Sequence, residues 1–165
     1  LHSFPTRRSS DLYAETHMKT IEREMKELIA ADSNICRNYK LLTSIKGVGP
    51  ITAIVMLCST LNFTKITDHR KFACYCGLAP FEHSSGTSVR GGCHTSSMAN
   101  RDIKVQLNRS ALIAIRCDPQ LKAYYERKVA EGKHKFSVLN AVRAKIAARC
   151  FAVVRRGTPY VALQI

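Results

Sequence analysis

Apolar residues recur three and four positions apart in segment after segment of this chain, and nowhere do they alternate convincingly with polar ones. That spacing builds helices with one buried stripe and leaves little for a sheet to bury, so the expected fold class is all-α. The punctuation agrees. Asp32-Ser33-Asn34, Gly47-Val48-Gly49-Pro50, Gly77, Asp118-Pro119, Gly132 and Gly157-Thr158-Pro159 supply caps and breaks between the periodic runs. Helices are expected from Tyr13 to the break at Asp32, through Ile35 to about Ile45, from Pro50 to Ser59 and from Asp68 to Cys76. Three more are expected from Ser96 or Ser97 to Cys117, from Pro119 to Glu131 and from Ser137 to Arg155.

Charge narrows the choice of partner. Lys and Arg number 26 against 12 acidic residues, a net charge of +14. Such an excess destabilises a compact state by self-repulsion and is usually answered by a polyanion, with nucleic acid the first candidate. No run approaches the ~20 apolar residues that span a bilayer, so no membrane partner is expected. The seven Cys are scattered, several within apolar helical patterns, as suits reduced thiols in a cytoplasmic protein. Cys74, Cys76, His83, Cys93 and His94 lie close in sequence. A C-x-C pair on a helix points its thiols apart, however, and no C-x-x-C pair follows, so no metal ligands are expected.

Residues 1–12 read Leu-His-Ser-Phe-Pro-Thr-Arg-Arg-Ser-Ser-Asp-Leu, without periodicity and without the apolar stretch of a signal peptide. They resemble the translated sequence of a short-read sequencing adapter. The expectation is a non-native, disordered scar joined between Leu12 and Tyr13 to a frame that begins mid-gene. Residues 13–33 are expected to form a helical arm. Its narrow stripe of Met18, Ile21, Met25, Leu28 and Ile29 suits a coiled coil or hairpin, or equally an amphipathic helix docked on its own domain. Residues 34–165 form the main domain.

Two segments of that domain carry chemistry. The first, residues 40–59, reads as a helix-hairpin-helix around Lys46-Gly47-Val48-Gly49-Pro50. Gly47 and Gly49 permit a tight turn and close approach to a phosphate, and the following helix offers free N–H groups to that anion. Lys46 adds charge and Val48 plugs the turn into the core. A plain helix–helix turn is the alternative. The second segment, Gly77 to Gly92, is polar and Ser-rich, a loop or short hairpin. No Ser-His-Asp triad follows from its spacing. A Ser beside Gly in a basic loop can attack phosphorus if its proton is removed and the phosphate is held by Arg; otherwise such a Ser caps or turns the chain. Arg101 and Lys104 share a face of the next helix, and Arg143, Lys145, Arg149, Arg155 and Arg156 line the last one. Together these support contacts to a nucleic-acid backbone.

The order of motifs adds a resemblance. A GVGPITA hairpin, an RKFACYCGLAP helix end, an SSG loop and a helix opening at Asn100 follow one another. The run Leu121 to Lys128 and the segment Gly132 to Arg143 come next. From Tyr13 to Val161 the chain resembles the transposase domain of the insertion-sequence family named after elements 110, 116 and 902. That resemblance implies a DNA recombinase guided by a bridge RNA and working as a homo-oligomer. It implies that a Ser attacks DNA and becomes covalently linked to it, and that an acidic RuvC-like domain holds divalent metal such as Mg²⁺. The family's Ser-Gly maps onto Ser85-Gly86, with Ser84 and Ser88 as alternatives. Arg90 is the candidate for holding the scissile phosphate, Asn100 matches the family's Asn, and Lys104 falls where the family has a basic residue. Ser96-Ser97-Met98-Ala99 departs from the family's Lys before Gly-Asn. The acidic cluster has no counterpart in these residues, so the expectation is a fragment that needs no cofactor of its own, binds nucleic acid and does not cleave alone. A non-catalytic helix-hairpin-helix DNA-binding module and a basic RNA-binding structural protein are the competing readings.

Overall fold

The helical periodicity becomes seven helices among the described residues of the computed structural model, which describes residues 7–79, 84–85, 89–90 and 99–162. They are α1 (Arg7–Ala31), α2 (Ser33–Thr43), α3 (Pro50–Thr60), α4 (His69–Tyr75), α5 (Arg101–Cys117), α6 (Pro119–Ala130) and α7 (Lys135–Arg156). A minimal antiparallel pair, β1 (Ser84–Ser85) and β2 (Val89–Arg90), lies between α4 and α5. No described helix is long and apolar enough to cross a membrane. The chain divides into two units, residues 1–37 and residues 38–165.

In the first unit, α1 begins at Arg7 rather than Tyr13. Half of the segment expected to be disordered is therefore helical. Nothing between Arg7 and Tyr13 stops a helix from extending backward, since the breaker Pro5 lies earlier. Thr16 Oγ1 donates to the Leu12 carbonyl at 2.8 Å, across the expected boundary. The apolar stripe exists but is largely uncovered: Met18, Ile21 and Leu28 are exposed and Met25 and Ile29 half-buried. Asp32 ends the helix and caps the next, its Oδ1 accepting from the N–H groups of Asn34 and Ile35.

In the second unit α5 is the hub, packing on α3, α6 and α7, while α4 packs on α7. The core is aliphatic, as the absence of Trp requires. Leu42, Ile45, Met56, Leu107, Val142, Ile146 and Val153 are fully buried. Its aromatic part is one cluster in which Phe151 meets Phe63 edge-on at 4.9 Å and Phe72 at 5.3 Å. Asp118 separates α5 from α6 and caps α6 from a fully buried position.

Several ends differ from the periodic reading, each for a local reason. α2 stops at Thr43 because the chain tightens into i→i+3 bonds, with Ile45 N–H donating to the Leu42 carbonyl. α5 starts at Arg101 rather than near Ser96, because the Asn100 carboxamide accepts from the N–H groups of Asp102 and Ile103. After α3, Leu61, Asn62 and Phe63 all adopt left-handed φ values of 47°, 53° and 62°. Three consecutive non-Gly residues there cost about 1–2 kcal/mol each. The turn is held by Asn62 N–H to the Leu57 carbonyl at 2.7 Å, by Asn38 Nδ2 to Asn62 Oδ1 at 2.7 Å, and by the Phe63–Phe151 contact.

Candidate nucleic-acid interface

The turn between α2 and α3 is fixed by packing. Ile45 and Val48 are buried on either side of it, while Lys46 is exposed. Its two glycines do different work. Gly47 has φ +93°, and a Cβ there would sit 2.7 Å from the Ser110 carbonyl oxygen and 2.8 Å from Ala114 Cβ, both on α5. The close approach at Gly47 is thus between the turn and α5, within the protein. Gly49 has φ −85° and ψ 175°, an extended conformation any residue adopts, and nothing lies within 4 Å of its Cβ position. It precedes Pro50 at the start of α3, where no side chain caps the helix. The turn therefore presents Lys46, an open Gly49 and an uncapped helix start, the elements an anion needs. Thr52 ties α3 to α5 through a buried 3.0 Å bond between its hydroxyl and that of Ser110.

The stem of the Ser-rich segment is fixed by polar side chains instead. Its two ends meet where Asn100 N–H donates to the Tyr75 carbonyl at 3.0 Å and Asn100 Nδ2 approaches the Tyr75 hydroxyl at 3.3 Å. Lys104 Nζ donates to the Gly77 carbonyl at 2.9 Å, and Asn140 Nδ2 to the Leu78 carbonyl at 2.8 Å. Arg143 completes the network: Nη2 and Nε donate to Asn108 Oδ1 at 2.7 and 3.2 Å, and Nη1 to Asn140 Oδ1 at 3.3 Å. Lys104 and Arg143 are both half-buried, and neither has a carboxylate partner among the described residues. Burial pulls the Arg143 guanidinium below its ordinary pKa, the expected cost of a partly desolvated cation with only neutral neighbours. In β1 and β2 the register sets Ser84 opposite Arg90 and Ser85 opposite Val89. Ser88, Gly86, His83, Cys93 and His94 lie outside the described residues.

Comparison with known proteins decides the family: residues 39–126 match the description Transposase IS116/IS110/IS902 family. The chain belongs to this family. This transposase domain is 39% identical over 121 residues to the insertion element IS110 uncharacterized 43.6 kDa protein of Streptomyces coelicolor, covering 73% of this chain and 29% of that protein. It is 23% identical over 141 residues to the pilin gene-inverting protein of Moraxella bovis, covering 85% of this chain and 44% of that one. A "Probable family 20 transposase" of Pseudomonas aeruginosa is 28% identical over 103 residues, covering 62% and 29%. The chain thus spans less than half the length of these relatives. The matched region contains the α2–α3 turn, the Ser-rich segment and its Lys104 clamp, and stops before Asn140 and Arg143.

Within the transposase domain the residues singled out from sequence occupy distinct places. Lys46 and Gly49 stand together at the α2–α3 turn. Asn100 is spent on capping α5, and Lys104 on the Gly77 carbonyl, so these two build the stem. Arg101 is exposed at the start of α5. Arg101 and Lys104 do not act as one patch, because only Lys104 turns inward. Asn108, Asn140 and the specific partners of Arg143 escaped the sequence reading. Their bonds join positions 35 and 62 residues apart, which leaves no periodic trace. No three His, Cys, Asp or Glu side chains come together among the described residues. The buried carboxylate, Asp118, is used by the α6 cap and by Arg149. Among the described residues, then, no donor set for a divalent metal is gathered.

Proposed function

We propose that this transposase domain handles DNA at a covalent step, with Ser85 as the nucleophile. In that step the Ser85 hydroxyl gives up its proton, its oxygen bonds the scissile phosphorus, and one deoxyribose oxygen leaves with its bonding electrons and takes up a proton. Arg90 and the stem supply the positive field in which the phosphate's charge develops. The observation that supports the reading is the pair of half-buried cations, Lys104 on the Gly77 carbonyl and Arg143 on Asn108 and Asn140, which have no carboxylate partner among the described residues. A phosphodiester in the segment answers that unbalanced charge. The relatives' names, transposase and gene-inverting protein, describe reactions in which DNA strands are broken and rejoined.

A bridge RNA guide, self-association of the full-length protein and a cytoplasmic setting belong to the same proposal, as does Mg²⁺ held by acidic residues outside these 165. Lys46 and Gly49 position the duplex by its backbone without reading bases. In the complete protein encoded by the gene, Ser85→Ala is expected to abolish recombination and the covalent protein–DNA adduct seen on a denaturing gel, with DNA binding retained. Ser84→Ala and Ser88→Ala are the comparison variants. Wild-type recombination by Ser85→Ala refutes the assignment and favours a non-catalytic binding module.

A further inference from the structure

A second cationic feature lies along the other half of α7. From Asn140 to Arg149 is nine residues, about 14 Å of helix, and at the far end α6 and α7 border a cleft of about 580 Å³. That volume falls within the roughly 300–1,000 Å³ of small-ligand sites. Arg127, Lys145 and Arg149 surround Tyr124 in its walls, with Gln120 beside them. Lys145 Nζ stands 4.4 Å from the Tyr124 ring centroid and Arg127 Cζ 5.9 Å from it. Both distances fall in the cation–π range, so the ring holds two long side chains in position and reduces the entropy they lose on binding a ligand.

Arg149 is held more firmly. Its Nη1 donates to Asp118 Oδ2 at 2.6 Å, its Nη2 bonds Gln120 Oε1, and its Cζ lies 4.8 Å from the Tyr160 ring centroid. Asp118 neutralises Arg149, so the cleft's excess charge is that of Lys145 and Arg127. Asp118 is fully buried and its other oxygen accepts from the N–H groups of Gln120 and Leu121. Glu131 reaches Arg127 only at an exposed 3.9 Å and bonds Lys128 more closely at 2.6 Å. Lys145 is exposed and has no carboxylate partner among the described residues. The cleft is also joined to the α2–α3 turn: Tyr160, stacked on Arg149, donates its backbone N–H to Ser44 Oγ at 2.8 Å. Ser44 lies two residues before Lys46.

We propose that the α6–α7 cleft is a second nucleic-acid site, in which Lys145 and Arg127 grip a backbone phosphate and Arg149 with Gln120 forms the floor. A concave site with an aromatic wall, cations in excess and no acid in its lining is suited to a phosphodiester, and the Tyr160–Ser44 bond ties its Arg149 side to the turn that carries Lys46. The inference rests on the reading of the domain as nucleic-acid-binding, and it adds a contact distant from the Ser-rich stem.

The test uses the whole 165-residue chain and fluorescein-labelled single- and double-stranded oligonucleotides, with anisotropy followed against NaCl concentration. Lys145→Gln and Arg127→Gln are each expected to weaken binding by about fivefold and to reduce the slope of log K against log salt by about 1. Lys145→Arg restores binding. Tyr124→Leu, which changes no charge, weakens it as well, an effect that general surface charge does not produce. The control is Lys122→Gln, an exposed α6 lysine paired at 4.0 Å with Glu126; it is expected to change binding less than twofold. Thermal melts verify that each variant folds. If Lys145→Gln and Lys122→Gln behave alike while the unmodified chain binds, the cleft proposal falls and the domain reading survives. If the unmodified chain binds no oligonucleotide, both fall. An altered oligomeric state with unaltered binding assigns the cleft to a protein contact and overturns the proposal.

Discussion

The α2–α3 turn and the stem of the Ser-rich segment are both candidate phosphate contacts, yet they are held in opposite ways. The turn is held by sterics: Val48 and Ile45 buried, and Gly47 pressed against α5 with no room for a methyl group. The stem is held by hydrogen bonds from amides and cations to three carbonyls, those of Tyr75, Gly77 and Leu78. Packing of the first kind responds to volume and ignores charge. Packing of the second kind responds to the loss of a single donor, because an unsatisfied buried carbonyl costs about 1–3 kcal/mol. A turn fixed by volume, beside a polar clamp whose cations have no carboxylate partner among the described residues, is the division of labour that the proposed function asks for.

Gly47→Ala strikes the contrast hardest. Positive φ and a backbone atom 2.7 Å away leave the new methyl nowhere to go, and a loss of about 3 kcal/mol is expected in urea denaturation. Asn140→Ala comes next, at about 1–2 kcal/mol, since it strips both the Leu78 carbonyl and Arg143 of a partner. Lys104→Met is expected to cost about 1 kcal/mol and, more tellingly, to loosen the end of α4. Burial pushes the Cys76 and Cys150 thiols up to about 12, so both are protonated and inert to iodoacetamide at pH 8, while exposed Cys58 and Cys117 react. Lys104→Met should expose Cys76, adjacent to Gly77, to alkylation and leave Cys150 protected, as peptide mass mapping will tell. Equal protection of Cys76 in both proteins would mean the clamp is not what closes the stem. Gly49→Ala is the smallest effect on stability, within about 0.5 kcal/mol. Its consequence is expected in weaker oligonucleotide binding, because the methyl group fills the open side of the turn.

Much of the architecture was legible beforehand because it depends on local chemistry. Asp32, Asp68 and Asp118 are short polar side chains ahead of apolar-periodic runs, and each caps the helix that follows. Pro50 and Pro119 open helices for the same local reason. The stem could not be read this way. Arg143 appears in the sequence as one of several basic residues on a helix, with nothing to distinguish it from exposed Arg155 and Arg156. Only the crossing of α5 and α7 brings Asn108 to it, and only the return of the chain after α4 brings Leu78 to Asn140. Lys104 read as an outward cation because helical periodicity tells which residues share a face, not what lies opposite that face.

What the sequence determined by itself is the series of helices, the caps that start them, the basic character and the motif order that marks the family. These depend on residues within a few positions of one another or on totals. The tertiary structure decided which glycine of the turn is open, which cations turn inward, and how a C-terminal tyrosine links Arg149 to the α2–α3 turn. Those outcomes rest on contacts between positions as far as 116 residues apart, where packing and the solvation of charge, not local propensity, set the lowest free energy.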